Sequence, residues 1–177
     1  MNNDIKKIII SEEDIKGICK RLGEQISNDF QDMDPLFVGL LRGCNPFMAD
    51  LLRYVTIPCT LDYMKASSYE GTSSTGKLTV LNYIPHVKDR NVVIIDDILD
   101  SGRTLSTIKS LLLDNGAKSV KLCVLLDKPE GRVVDIEADY FGDIVPNEFV
   151  VGYGLDYNDY YRNLPYIGVL KEEIYQK

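Results

Sequence analysis

"VVIIDDILDSGRTL", residues 92–105, sets three aspartates (Asp96, Asp97 and Asp100) behind four β-branched apolar residues and follows them with a small, glycine-containing turn. Val92 to Ile95 has the composition of a strand buried on both faces. Beyond the turn, "TLSTIKSLLLDNG" reads as a helix whose apolar stripe is Leu105, Ile108, Leu111 and Leu112 and whose stop signal is Asn115-Gly116. The flanking segments repeat the alternation. "PLFVGLL" (35–41) predicts a strand, "RGCNP" a turn and "FMADLLRYV" a helix, and "SVKLCVLL" predicts the strand after the 105–116 helix. "CTLDYMKAS" and "KLTVLNYI" are β-rich, and the polar "SYEGTSSTG" between them has the composition of a mobile loop. Near the N-terminus, Ser11 and Asp14 form a variant capping box, and Ile15, Ile18, Cys19, Leu22 and Ile26 then recur at helical spacing. "ADYFGDIV", "FVVGYG" and "YIGVL" predict short strands, with little helix after residue 116. Strands alternating with helices predict an α/β fold with a largely parallel central sheet, whose ligands bind beyond the carboxyl ends of the strands.

Composition bounds the rest. A chain of 177 residues, 45% hydrophobic, is long enough for one well-packed domain and too short for two ordinary ones. The net charge of −7 and a pI near 4.7 predict a surface that repels nucleic acid and anionic membrane. No secretory leader and no long uncharged apolar run is visible, so the expected location is the cytoplasm. Cys19, Cys44, Cys59 and Cys123 have no CxxC spacing, and His86 is the single histidine; neither a zinc site nor a disulfide framework is expected.

The opening stretch has a chemical reading of its own. Side chains alternate along a strand, so Asp96 and Asp97 suit a strand end that turns toward a ligand. Buried unpaired carboxylates are costly, whereas adjacent acids at such an end can hold hydroxyls or a hydrated magnesium ion. "DSGRT" adds small residues with free backbone N–H groups at a helix N-terminus, a cradle for phosphate. Together they describe a ribose-phosphate site. It is not a P-loop, since no GxxxxGK[ST] occurs, and "GYGLDY" (152–157) does not complete GxGxxG because Tyr157 stands at the third glycine. Taken singly, each residue has a blander reading: Asp-Ser-Gly as a helix cap, Lys128 as a solvated charge, Phe149 as core, Asp156 and Arg162 as a surface ion pair.

"VVIIDDILDSGRTL" resembles the signature of the type I phosphoribosyltransferases that binds phosphoribosyl pyrophosphate (PRPP). "LLRGCNPFMADLL", "LLDKP" and "FVVGYGLDYNDYYRNLPYIGVL" are similar to the corresponding segments of the hypoxanthine-guanine phosphoribosyltransferases, and the likeness runs from about residue 35 to the C-terminus. It implies a single domain over 1–177, with a core over about 35–145, a small hood from about 146–177 plus the N-terminal segment, and a flexible loop over the site. It implies that Asp96 and Asp97 contact the ribose hydroxyls and magnesium, that Asp100 accepts the purine N7 proton, and that Asp100, Ser101, Gly102, Arg103 and Thr104 seat the 5′-phosphate. Leu41, Arg42 and Gly43 match the pyrophosphate loop, where a non-proline cis peptide is common, and Arg162 matches an arginine at the pyrophosphate. Lys128 matches the reader of the purine 6-oxo group, Phe149 the stacking ring, Val150 a backbone contact to the base, and Asp156 a base-edge and second-magnesium residue. Ser68 and Tyr69 lie in the closing loop.

Three positions depart from the family pattern: Asp96 stands where glutamate is frequent, and Arg42 and Cys44 where lysine and a small residue are. Cys44 is the cysteine expected on a functional loop and hence a candidate for thiol reagents. The implied activity is transfer of the phosphoribosyl group from PRPP to hypoxanthine or guanine, giving IMP or GMP and pyrophosphate, with Mg2+ as cofactor and a dimer or tetramer as the assembly. Two other readings remain open: a xanthine-preferring enzyme, and an RNA-binding regulator of the same fold, which the net charge disfavours.

Overall fold

The computed structural model describes residues 1–68, 78–80 and 85–176. The run that opened the sequence reading is the centre of the molecule: β5 (Asn91–Leu99) lies between β2 (Leu36–Leu41) and β6 (Ser119–Asp127), parallel to both. On the far side of β2 comes β3 (Thr60–Ser68), also parallel, edged by the antiparallel β4 (Leu78–Val80); beyond β6 lies the parallel β7 (Tyr140–Ile144). The order β4-β3-β2-β5-β6-β7 is the largely parallel α/β sheet expected from the sequence. The chain moves outward from β2 to β3, then returns past β2 to β5. The loops leaving β2 and β5 therefore diverge and open a crevice at their carboxyl ends.

The alternation of side chains explains the continuous apolar run in β5. Val93 and Ile95 pack toward α1 (Glu12–Asp29) and α2 (Asn45–Leu51), with Phe37, Cys123 and Leu125 beside them. Val92 and Ile94 face the opposite way, toward Leu105, Ile108 and Leu112 of α3 (Arg103–Asp114). Both faces are thus buried, and each fully buried side chain of this size contributes roughly 1.5–3 kcal/mol. The capping box is present as read: Ser11 Oγ accepts from the Asp14 amide at 3.2 Å, and the Asp14 carboxylate accepts from the Ser11 amide at 3.0 Å. The Ser11 hydroxyl also donates to that carboxylate at 2.6 Å, and this bond, followed by the backbone one, holds the Asp14 carboxyl below the usual range. The helix expected over "FMADLLRYV" ends at Leu51 and continues as a 3-10 turn over Leu52–Tyr54.

A second, antiparallel sheet joins the two ends of the chain. β1 (Ile5–Ile10) pairs with β9 (Ile167–Leu170), which pairs with β8 (Val150–Val151). β1 escaped the sequence reading for a definite reason. Its pairing with β9 shifts register between Ile5 and Lys7 and again between Ile8 and Ile10, and such irregularities destroy the period-two pattern by which strands are recognised. A short helix, α4 (Glu172–Tyr175), ends the chain. No helix among the described residues is long and apolar enough to cross a membrane.

Candidate active site

The acidic pair sits inside β5 rather than past its end, which corrects the expectation of a strand finishing at Ile95. Pairing with β6 continues through Asp96↔Val124 to Leu99↔Asp127, so the neighbouring strand keeps the backbone extended. The two carboxyl groups are nevertheless brought together. Asp96 Oδ1 accepts the Asp97 amide at 3.0 Å, and the side chains hydrogen-bond to each other. Burial, and then the neighbouring Asp97 charge, push the Asp96 carboxyl well above the usual carboxylate range. Burial also raises Asp97, against hydrogen bonds from Asp96 and Ile98 and the Arg162 charge. Two crowded carboxyls whose proton affinity is raised are stabilised in their charged form by any cation brought against them.

Beyond Leu99 the chain bends through Asp100 and Ser101 into Gly102, whose φ of +79° is the left-handed geometry that glycine adopts without steric cost. Gly102 is the residue before α3, whose first backbone N–H groups have no partner within the helix and carry the positive end of its dipole. Asp96, Asp97, Asp100, Ser101, Gly102 and Thr104 line a hollow of about 190 Å³ there. Arg103, by contrast, is exposed.

The opposite wall comes from the β2 exit. The Leu41–Arg42 peptide is cis, and the following Gly43 lies directly against Asp97: a Cβ built on Gly43 would stand 1.8 Å from Asp97 Oδ2. Arg42 Nη1 reaches Asp159 Oδ1 at 3.0 Å, and Arg162 Nη2 reaches the same oxygen at 3.3 Å. Arg162 also pairs with Asp156 Oδ1 at 2.7 Å and donates to the Gly154 carbonyl at 2.6 Å, while its Nε is buried without a partner among the described residues. The two arginines thus converge on one anionic oxygen. Asp159, which no motif in the sequence singles out, is the group they share. Asp156 stays with Arg162, and the described residues hold no cluster of three or more acidic, histidine or cysteine side chains around Asp96 and Asp97.

A second hollow, of about 300 Å³, adjoins the β6 exit and includes Lys128, Asn147, Phe149 and Tyr175 in its lining. Lys128 Nζ lies 3.3 Å from Asp100 Oδ2, so two residues 28 positions apart meet. Phe149 is not core. It is 37% exposed, stacked on Tyr175 at a centroid distance of 5.0 Å and edge-on to Tyr157 at 5.6 Å. Val150 is buried in β8, and the backbone carbonyl of Phe149 accepts from the Leu170 amide at 2.8 Å. Ser68 ends β3, and Tyr69 lies outside the described residues, as does the rest of the segment read as a closing loop.

Cys44 does not fit the role of a reactive thiol. It is fully buried, and burial, then the Asp96 and Asp97 charges, push its pKa up to about 12. Cys19, raised by burial to about 11, and Cys123 are equally enclosed, whereas Cys59 is partly exposed. At pH 8 a pKa of 12 leaves roughly one Cys44 in ten thousand as thiolate. We expect Ellman's reagent to titrate Cys59 promptly in the native protein and the other three cysteines only after denaturation. Fast labelling at Cys44 would contradict the burial described here.

Comparison with known proteins agrees with this geometry. The family described as "Phosphoribosyl transferase domain" matches residues 8–158. A "Hypoxanthine-guanine phosphoribosyltransferase" of Streptococcus pneumoniae is 48% identical over 177 residues, which cover 99% of this chain and 98% of that protein. A "Bifunctional protein TilS/HprT" of Listeria monocytogenes is 51% identical over 179 residues, and this chain spans 28% of its length. Among solved structures, a hypoxanthine phosphoribosyltransferase from Staphylococcus aureus superposes with a TM-score of 0.96 at 46% identity, covering 100% of this chain and 97% of that one. By sequence and by fold, the chain belongs to the phosphoribosyltransferase family, among its hypoxanthine-guanine members.

Proposed function

We propose that this protein transfers the 5-phosphoribosyl group of PRPP to hypoxanthine or guanine, forming IMP or GMP and releasing pyrophosphate. The observation that weighs most is the meeting of Asp100 and Lys128 between two hollows, one lined by the β5–α3 turn and the other by Phe149. In this reading the α3 N-terminus and residues 100–104 take the 5′-phosphate, Asp96 and Asp97 the ribose hydroxyls, and Leu41–Gly43 with Arg42 and Arg162 the pyrophosphate. The buried Arg162 Nε, without a partner among the described residues, supports an anion at that wall. The base stacks on Phe149, contacts the Val150 backbone and meets Asp156 at its edge, while Lys128 donates to its 6-oxo group. The Asp100 carboxylate accepts the N7 proton as nitrogen attacks the anomeric carbon and pyrophosphate leaves.

The residues fit magnesium. The donors are oxygens only, and the crowded Asp96–Asp97 pair gains from a cation. The small number of protein ligands suits an ion that retains waters and binds substrate oxygens. Bound there, Mg2+ neutralises charge on the departing pyrophosphate. The core-and-hood division of the domain belongs to this proposal, supported by the separate sheet that β1, β8 and β9 form. Assembly as a dimer or tetramer rests on the family likeness alone.

Base choice falls to Lys128, because stacking on Phe149 is indifferent to base identity. A charge-assisted hydrogen bond contributes about 1.5–3 kcal/mol, so Lys128→Ala is expected to lower kcat/KM for hypoxanthine and guanine roughly 10- to 100-fold. Adenine, which presents a donor amine at that position, should gain relative to them. Kinetics on the four bases would check this; unchanged ratios would remove Lys128 from the base site.

A further inference from the structure

Arg132 lies in the loop after Lys128 and is bonded entirely to the frame of the site. Its Nη1 donates to the Leu99 carbonyl at 2.7 Å and to the Asp100 carbonyl at 2.6 Å, and its Nη2 forms an ion pair with Asp127. Leu99↔Asp127 is the last pair of the β5–β6 ladder, so the guanidinium closes that ladder one step beyond its end. The same loop binds the turn twice more, through the Lys128 amide to the Leu99 carbonyl at 3.0 Å and the Val133 amide to the Ser101 carbonyl at 3.1 Å. Gly131 packs so closely on Asp100 that a Cβ there would stand 1.9 Å from Asp100 Oδ1. The strand end bearing Asp100 and the strand end bearing Lys128 are thereby fixed to each other by one planar, five-donor group, which lysine cannot imitate.

We infer that Arg132 is a positioning residue, which, held by Asp127, sets the Asp100 carboxylate against Lys128 and thus against the N7 and 6-oxo edges of the bound purine. This rests on the roles proposed above for Asp100 and Lys128. It lines neither of the two hollows, and its effect passes through the Leu99 and Asp100 backbone. Misplacing a reacting group by about 1 Å can cost roughly 100-fold in rate.

The test uses Arg132→Lys and Arg132→Gln alongside wild type, Asp100→Asn and the double variant Asp100→Asn/Arg132→Lys. Hypoxanthine turnover, PRPP affinity by calorimetry and thermal unfolding are measured on each. The expected result is a fall in kcat of about 10- to 100-fold in both single Arg132 variants, with PRPP affinity within threefold of wild type. The double variant is expected to be no slower than Asp100→Asn, because the arginine acts through that carboxylate. Turnover of Arg132→Lys within twofold of wild type would overturn the inference. So would losses that multiply in the double variant, or an Arg132→Lys protein that loses its folded state and PRPP binding together, which marks a purely structural residue. If wild type fails to turn over hypoxanthine, or Asp100→Asn keeps its activity, the underlying functional reading fails instead, and the Arg132 rows are not needed to see it.

Discussion

Asp100→Asn protein binds PRPP as wild type does and turns over hypoxanthine about 100- to 10,000-fold more slowly, the range that removal of a positioned general base costs. The expectation follows from where Asp100 stands. It is the first residue past β5, with its side chain half exposed at the hollow and one carboxylate oxygen 3.3 Å from Lys128 Nζ. The backbone of the turn is anchored independently of that side chain, by the Lys128 amide to the Leu99 carbonyl and the Val133 amide to the Ser101 carbonyl. The amide therefore replaces the carboxylate without dislodging the turn, whose proposed role as a phosphate seat relies on backbone N–H groups. Asparagine keeps the shape and loses the ability to take a proton. Steady-state kinetics with parallel calorimetry check the split; turnover within tenfold of wild type would remove Asp100 from the chemistry.

Gly43→Ala is the second large effect. A Cβ at residue 43 would lie 1.8 Å from Asp97 Oδ2 and 2.5 Å from Asp97 Cγ, so both groups cannot stay where they are. Asp97 is short, and its backbone is held through the neighbouring Asp96↔Val124 and Ile98↔Leu126 pairs with β6, so either its carboxylate turns out of the proposed ribose site or the Leu41–Gly43 loop moves off the proposed pyrophosphate wall. Overpacking of this kind costs roughly 1–3 kcal/mol in stability. The catalytic loss should be larger, at least 100-fold in kcat/KM for PRPP by the cost of misplaced reacting groups. Thermal melts and PRPP titrations at fixed hypoxanthine measure the two separately. A variant with wild-type PRPP kinetics would show that Asp97 need not lie against this loop.

Much of this was legible in the chain. Val92–Ile95 announced a doubly covered strand because both faces are packed, and the stripe from Leu105 to Leu112 announced its helix because one side is. The ribose-phosphate site proposed at residues 96–104 was likewise suggested by local chemistry. What stayed hidden arises only when distant segments meet. The bulged β1 has no regular period to read. Arg132, in the aperiodic "KPEGRVV", is an ordinary charge until the ends of β5 and β6 lie side by side and present two carbonyls and a carboxylate to it. Asp159 becomes the shared partner of Arg42 and Arg162 only through a contact spanning 117 positions. Cys44 was misread for the converse reason: the loop that bears it is proposed to be functional, yet its own side chain turns inward beneath Gly39 and the acidic pair.

The most direct measurement of the central claim is product formation by the purified protein with PRPP and Mg2+, offered hypoxanthine, guanine, xanthine and adenine in turn. The account predicts IMP from hypoxanthine and GMP from guanine, each with one equivalent of pyrophosphate, and no comparable use of adenine. Absence of turnover with every 6-oxopurine, or adenine as the preferred base, would contradict it.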